Sequence, residues 1–227
     1  MPAAVVVNGQ VNIMSPRQTA ALNGQYYVAT NPTPGTGVVC GTVTAFSTTA
    51  DGLFTISNGN QALPGGRTIL LDILALNMSG TAPTATTVMK MAAFLENRIV
   101  APSAGNVAVV PQPMNPAIAP TSGATINGFS AAMCTIPAVV GTRTLVGNWS
   151  IPTSLGITGD TYTTLFGADP VATPGLTAVR ATAAGNVVAA APAVTIPPGY
   201  TCILDWWWVG QATNGPTFEF TLGYYEY

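Results

Sequence analysis

Histidine is absent from this sequence, and charge is nearly so: six Lys and Arg with eight Asp and Glu make up 6% of 227 residues, where a typical soluble domain carries about 25%. The first absence removes His-based catalytic triads, His general bases and His metal ligands in one step. Cysteine is scarce as well. Cys40, Cys134 and Cys202 lie far apart, so no CxxC zinc site can form. Each sits in an apolar, strand-like run, as a buried reduced thiol does, with an intersubunit disulfide as the sharper reading. Phosphate-cradling glycine loops are also missing, because the GTG at 35–37 follows a proline turn and opens no helix.

The charge deficit has a spatial meaning. A monomer of 23.1 kDa exposes roughly 9,700 Å², which spaces the charges at about one per 700 Å², against roughly one per 170 Å² for typical composition. A free surface so bare, with a net charge of −2, has little electrostatic protection against association. Neighbouring subunits are therefore expected to cover much of it.

Rival explanations of low charge meet obstacles. Every apolar run, including TILLDILALNM at 68–78, is interrupted by Pro, Gly, Asn or Thr before the roughly 18 residues that a membrane helix needs. MPAAVVVNGQ has no basic start and its apolar stretch stops at Asn8, unlike a secretory signal. A hydrophobic content of 48% disfavours disorder. Arg17, Arg67, Lys90, Arg98, Arg143 and Arg180 are too scattered to form a phosphate-binding stripe, so no direct nucleic-acid partner is expected.

What the sequence does have is strand signal. With 24 Gly and 19 Pro, few windows leave room for a helix; the best, 88–98 (VMKMAAFLENR), alternates well enough to read as a strand too. Strand patterns recur at 5–13, 25–29, 38–46, 53–57, 68–78, 86–95, 106–110, 124–135, 142–149, 161–166, 176–182, 187–196, 201–209 and 217–226. Turn signals such as NPTPGTG (31–37), NGNQALPGG (58–66) and IPPGY (196–200) separate them. The pattern predicts an all-β, antiparallel β-sandwich over 1–227 as a single domain, with loops at 111–123 and 150–160. A division into two halves near 111–123 is the alternative. In the last third, TCILDWWWV, the turn QATNGP and TFEFTLGYYEY read as a terminal hairpin.

Candidate chemistry is sparse. Asp205 with Glu219 or Glu226 would lie on adjacent strands of that hairpin beside the Trp run, as in a sugar hydrolase. The plainer reading makes these acids surface or interface groups, since no pocket is visible. Trp206 and Trp208 share one strand face and Trp207 takes the other, so one face fills the core while the other meets a protein neighbour or a sugar ring. Asp51, Asp160 and Asp169 belong to no calcium-loop motif and suit ordinary turns. No cofactor, metal or catalytic residue is expected.

The Ala/Thr/Gly/Val-rich strands, a start at Met1 without a signal, and the ending VTIPPGYTCILDWWWVGQATNGPTFEFTLGYYEY resemble virion structural proteins of tailed bacteriophages. The likeness is to capsid decoration (cement) proteins and related head or tail accessory proteins. It is a likeness of texture over the whole chain, so no active-site residue is carried over. The resemblance implies a jelly-roll or similar sandwich, commonly trimeric, assembled in the host cytoplasm and seated on the capsid surface where it bridges major capsid proteins. On that reading the contact residues are Trp206, Trp207, Trp208, Tyr224, Tyr225 and Tyr227. The alternative is a carbohydrate-binding or host-attachment module of a tail or head fibre.

Overall fold

A computed structural model of the chain describes residues 4–7, 10–13, 15–39, 52–60, 66–80, 87–102, 106–118, 121–129, 136–137, 142–153, 158–167, 186–208 and 217–227. In chain order the elements are β1 (Ala4–Val7), β2 (Gln10–Ile13), α1 (Pro16–Leu22), β3 (Tyr26–Thr30), β4 (Val38–Val39), β5 (Gly52–Asn58), β6 (Ile69–Met78) and β7 (Thr87–Glu96). They continue with β8 (Asn106–Val109), β9 (Gln112–Pro113), β10 (Ala124–Phe129), β11 (Arg143–Thr153), β12 (Thr161–Phe166), β13 (Asn186–Ala191), β14 (Thr195–Ile196), β15 (Thr201–Trp208) and β16 (Thr217–Glu226).

Two sheets pack face to face as a β-sandwich. The first is six-stranded in the order β11-β7-β15-β5-β10-β8; the second is eight-stranded, with β13-β12-β6-β16-β3-β9 as its main path and β14 and β4 pairing onto β6 and β16. Among the described strands pairing is antiparallel except between β12 and β13, which run parallel. The strands on either side of 111–123, β8 and β10, pair with each other. β1 and β2 form a separate two-stranded sheet, so the apolar run 5–13 holds two strands where the alternation suggested one.

The core is the seam between the sheets. Inward side chains from the first sheet (Ile56, Met89, Met91, Trp149, Leu204, Trp206) meet those from the second (Tyr27, Leu74, Leu76, Tyr162, Phe218, Phe220, Leu222, Tyr224) in one buried cluster. Edge-to-face ring pairs bridge it: Trp206 on Phe218 at 5.5 Å and Trp149 on Phe166 at 5.7 Å between centroids, a geometry that adds to area burial. Cys202 is a free, buried thiol in this cluster, and burial pushes its pKa up. Cys40 and Cys134 lie outside the described residues.

The expected terminal hairpin is not formed. β15 lies in the first sheet between β7 and β5, whereas β16 lies in the second between β6 and β3. The two strands lie on opposite sides of the core, where Trp206 of β15 meets Phe218 of β16 edge-to-face, so the contact between them is made by inward side chains and not by backbone pairing. The window 88–98 belongs largely to strand β7. The expected loop at 150–160 begins inside β11, whose Pro152 is tolerated because β11 is an edge strand. The single strand expected at 187–196 is two, β13 and β14, interrupted at 192–194; the strand expected at 176–182 lies outside the described residues.

Helix α1 was not foreseen among so many prolines, yet its start is written in the sequence. Ser15 accepts from the Gln18 amide at 3.2 Å while the Gln18 side chain accepts from the Ser15 amide at 2.9 Å, with Pro16 in the first turn. Ala20 of the helix packs with Tyr26 and Tyr225 on the outer face of the second sheet. No described helix is long and apolar enough to cross a membrane.

Candidate functional site

The aromatic residues singled out in the sequence are divided among different surroundings. Trp206 and Tyr224 are fully buried in the inter-sheet core; Tyr224 stacks on Tyr27 at 5.7 Å and its hydroxyl shares a 2.8 Å hydrogen bond with Ser122. Tyr225 is buried on the other side of the second sheet, edge-to-face with Tyr26 at 4.9 Å. Trp207 is half-buried on the outer face of the first sheet, and the side chain of Trp208 lies outside the described residues. Tyr227, 55% exposed and stacked on Tyr225 at 5.6 Å, presents an open ring. The side chains of Trp206, Tyr224 and Tyr225 therefore serve packing within the chain, which corrects the expectation that they form contact surface.

The carboxylate pair proposed for sugar hydrolysis does not come together. Asp205 alternates with core residues Leu204 and Trp206 and so lies on the outer side of the first sheet, where it is buried. Glu219 alternates with core residues Phe218 and Phe220 and so lies on the outer side of the second sheet. The sandwich, about 10 Å thick between sheets, separates them. Glu226 has the inward parity of Tyr224 and is buried at the end of the core, where it accepts from the Ser122 hydroxyl and from the Gly123 amide at 3.1 Å and meets Arg67 at 3.6 Å. Of the loop aspartates, Asp160 is buried and accepts from the Tyr162 hydroxyl at 3.0 Å; Asp51 and Asp169 lie outside the described residues. Among the described residues no group of three metal-ligating side chains forms.

The charges that are described act inside the chain. Glu96 has a fully buried side chain held by Arg98 and by Arg143, whose Nη2 and Nε donate to it at 2.6 and 2.9 Å. Arg17 Nε donates to Asp72 at 2.7 Å, Arg67 meets Glu226, and Lys90 donates to Ser150 at 2.8 Å. Every described arginine is thus committed to a carboxylate of the same chain.

Asp72 owes its position to a β-bulge. The register of β6 against β16 shifts between Gly223 and Tyr224, which pair with Ile73 and Leu71. The extra residue lets both Leu71 and Leu74 face the core and turns Asp72 outward. There it accepts from Arg17 and from the Tyr26 hydroxyl at 2.7 Å. Burial and this bond raise the Tyr26 pKa, while the bond to Asp72 raises that of Arg17. Gly223 is required beneath them, since a Cβ there would lie 2.2 Å from the Tyr26 hydroxyl oxygen.

Further along, the outer face of the second sheet is open and polar, with Glu219 among Thr, Asn and Ala side chains. Cross-strand neighbours Thr163, Ala75, Thr221 and Thr30 form one row, and Thr161, Asn77 and Glu219 the next. The 31–37 loop, recognisable in the sequence only as a turn, curls over this face. Asn31 fixes it: its side chain accepts from the Phe220 amide at 2.8 Å and donates to the Thr36 carbonyl at 2.9 Å. Gly35, at φ 82°, donates its amide to Glu219 Oε1. Loop and sheet border an open-mouthed cavity of about 220 Å³ lined by Thr30, Asn31, Pro34, Asn77, Glu219 and Thr221, among others. No family model matches this chain, and neither a curated protein nor a solved structure does.

Proposed function

We propose that this chain is a non-catalytic structural subunit that works by assembling with other protein subunits, as a virion component of the decoration type on a lattice of major capsid protein. One observation carries the reading: the described charges pair largely with one another within the chain, as Arg17–Asp72, Arg67–Glu226 and Arg98–Glu96–Arg143 contacts. The exterior is therefore poorer in free charge than the composition alone implies. At the same time large apolar side chains stand open along one edge. The 114–118 turn is tied to the end of α1 by Asn115 Nδ2 to the Leu22 carbonyl at 3.2 Å, and there Leu22, Met114 and Ile118 are 51%, 56% and 58% exposed.

Such an edge gains by burial against a neighbour, at about 25 cal/mol per Å² of apolar surface, and meets little charge repulsion in doing so. The phage setting comes from the textural resemblance, and the trimer is its usual state. Mass measurement of the purified chain over a range of concentrations tests the reading. A stable oligomer, dissociated by Leu22→Asp or Met114→Asp, is expected; a chain that stays monomeric at high concentration and does not load onto capsids counts against it.

A further inference from the structure

We propose that the cavity beneath the 31–37 loop is a binding site for a single neutral sugar ring. The inference goes beyond the assembly reading and does not depend on it. It also differs from what the aromatic run suggested, since no described Trp side chain lines the site.

The lining selects the ligand by elimination. Among the described residues it holds one carboxylate and neither Lys nor Arg, which disfavours phosphate, sulfate or a carboxylate ligand. A lone Glu219, with no group of three ligating side chains among the described residues, leaves a divalent cation short of the six or more oxygens it takes. Phe220 is a lining residue, but its side chain belongs to the inter-sheet core, so the cavity lacks the aromatic cage of a quaternary ammonium. An apolar ligand would desolvate Thr30, Asn77, Glu219 and Thr221 without replacing their hydrogen bonds.

A neutral ring dense in hydroxyl groups matches what remains. Glu219 is held by the Gly35 amide through Oε1, and a carboxylate has acceptor capacity for further O–H donors, with bonds strengthened by its charge. The Asn77 amide and the Thr30 and Thr221 hydroxyls both donate and accept, as sugar hydroxyls do. Asn31, by contrast, is occupied in fixing the loop, which pre-forms the wall before any ligand arrives. A cavity of about 220 Å³ is below the usual range of about 300–1,000 Å³ for drug-sized ligands, so it has room for one ring, with its mouth open to solvent.

Saturation-transfer NMR on the full chain, with free glucose, galactose, mannose and N-acetylglucosamine at tens of millimolar, tests the proposal. At least one sugar should bind. Glu219→Gln, which keeps an acceptor for Gly35, should weaken it about tenfold or more by removing the charge-assisted bonds. Ala75→Leu, which fills the floor, should abolish it; Asn77→Leu serves the same purpose if that variant does not fold. An immobilised-glycan arm separates a terminal residue on a surface glycan, bound there and as the free sugar, from a free monosaccharide alone. Silence of the whole panel in both arms, or binding that survives cavity filling in a folded variant, overturns the proposal.

Discussion

The two sheets share a core but differ on their outer faces. On the first, the outward row of β15 is closed over: Ile203 packs with Val100, Ile136 and Phe94 in a second small core. The Thr201 hydroxyl accepts from the Val100 amide at 2.9 Å, donates to the Arg98 carbonyl at 2.8 Å, and lies 2.8 Å from Ser57 Oγ. On the second sheet, the corresponding row of β16 stays accessible at Glu219 and Thr221 and is covered only from Gly223 onward, under Tyr26 and α1. The difference teaches that a charge-poor face can arise in two ways: the buried Glu96 is neutralised by Arg98 and Arg143, whereas the Thr/Asn rows carry little charge to begin with.

The hardest blow to that comparison is Glu96→Gln. It leaves the Arg143 guanidinium, whose side chain is only 7% exposed, without its countercharge, and is expected to cost about 3–5 kcal/mol, read from denaturant unfolding. A loss below 1 kcal/mol would mean that the first sheet's outer face is as wet as the second's. Next comes Gly223→Ala, at the boundary between the covered and open halves of β16. The new Cβ displaces the Tyr26 hydroxyl from Asp72 and should cost about 1–3 kcal/mol, with Tyr26→Phe in the same chain recovering part of the loss. Thr221→Val should do least, changing stability by no more than about 0.5 kcal/mol, because Thr221 is exposed. A large loss there would show the open face to be structural after all.

Particular residues show where the sequence was legible. Phe218, Phe220 and Leu222 declare their inward parity by simple alternation, and the structure buries all three. The capping box at Ser15 and Gln18 is equally readable, but it opens a helix of only seven residues in a chain whose Pro and Gly content argues against helices. By contrast, LLDIL at 70–74 gives no sign that Asp72 sits at a bulge, because the bulge is defined by how β6 meets β16. The cavity was hidden for the same reason: Thr30, Asn77 and Glu219 are remote in sequence, and register alone brings them together.

By itself the sequence determined the strand-rich fold class, the scarcity of charge and the exclusion of histidine chemistry, since these follow from composition and a period of two. Only the tertiary structure decided that β15 and β16 belong to opposite sheets, that Asp205 and Glu219 face away from each other, and that each described arginine pairs with a carboxylate of the same chain. Alternation fixes which side of a strand is buried but says nothing about which strand lies beside it; that choice is made by non-local pairing and by the need of each apolar face for a partner across the core.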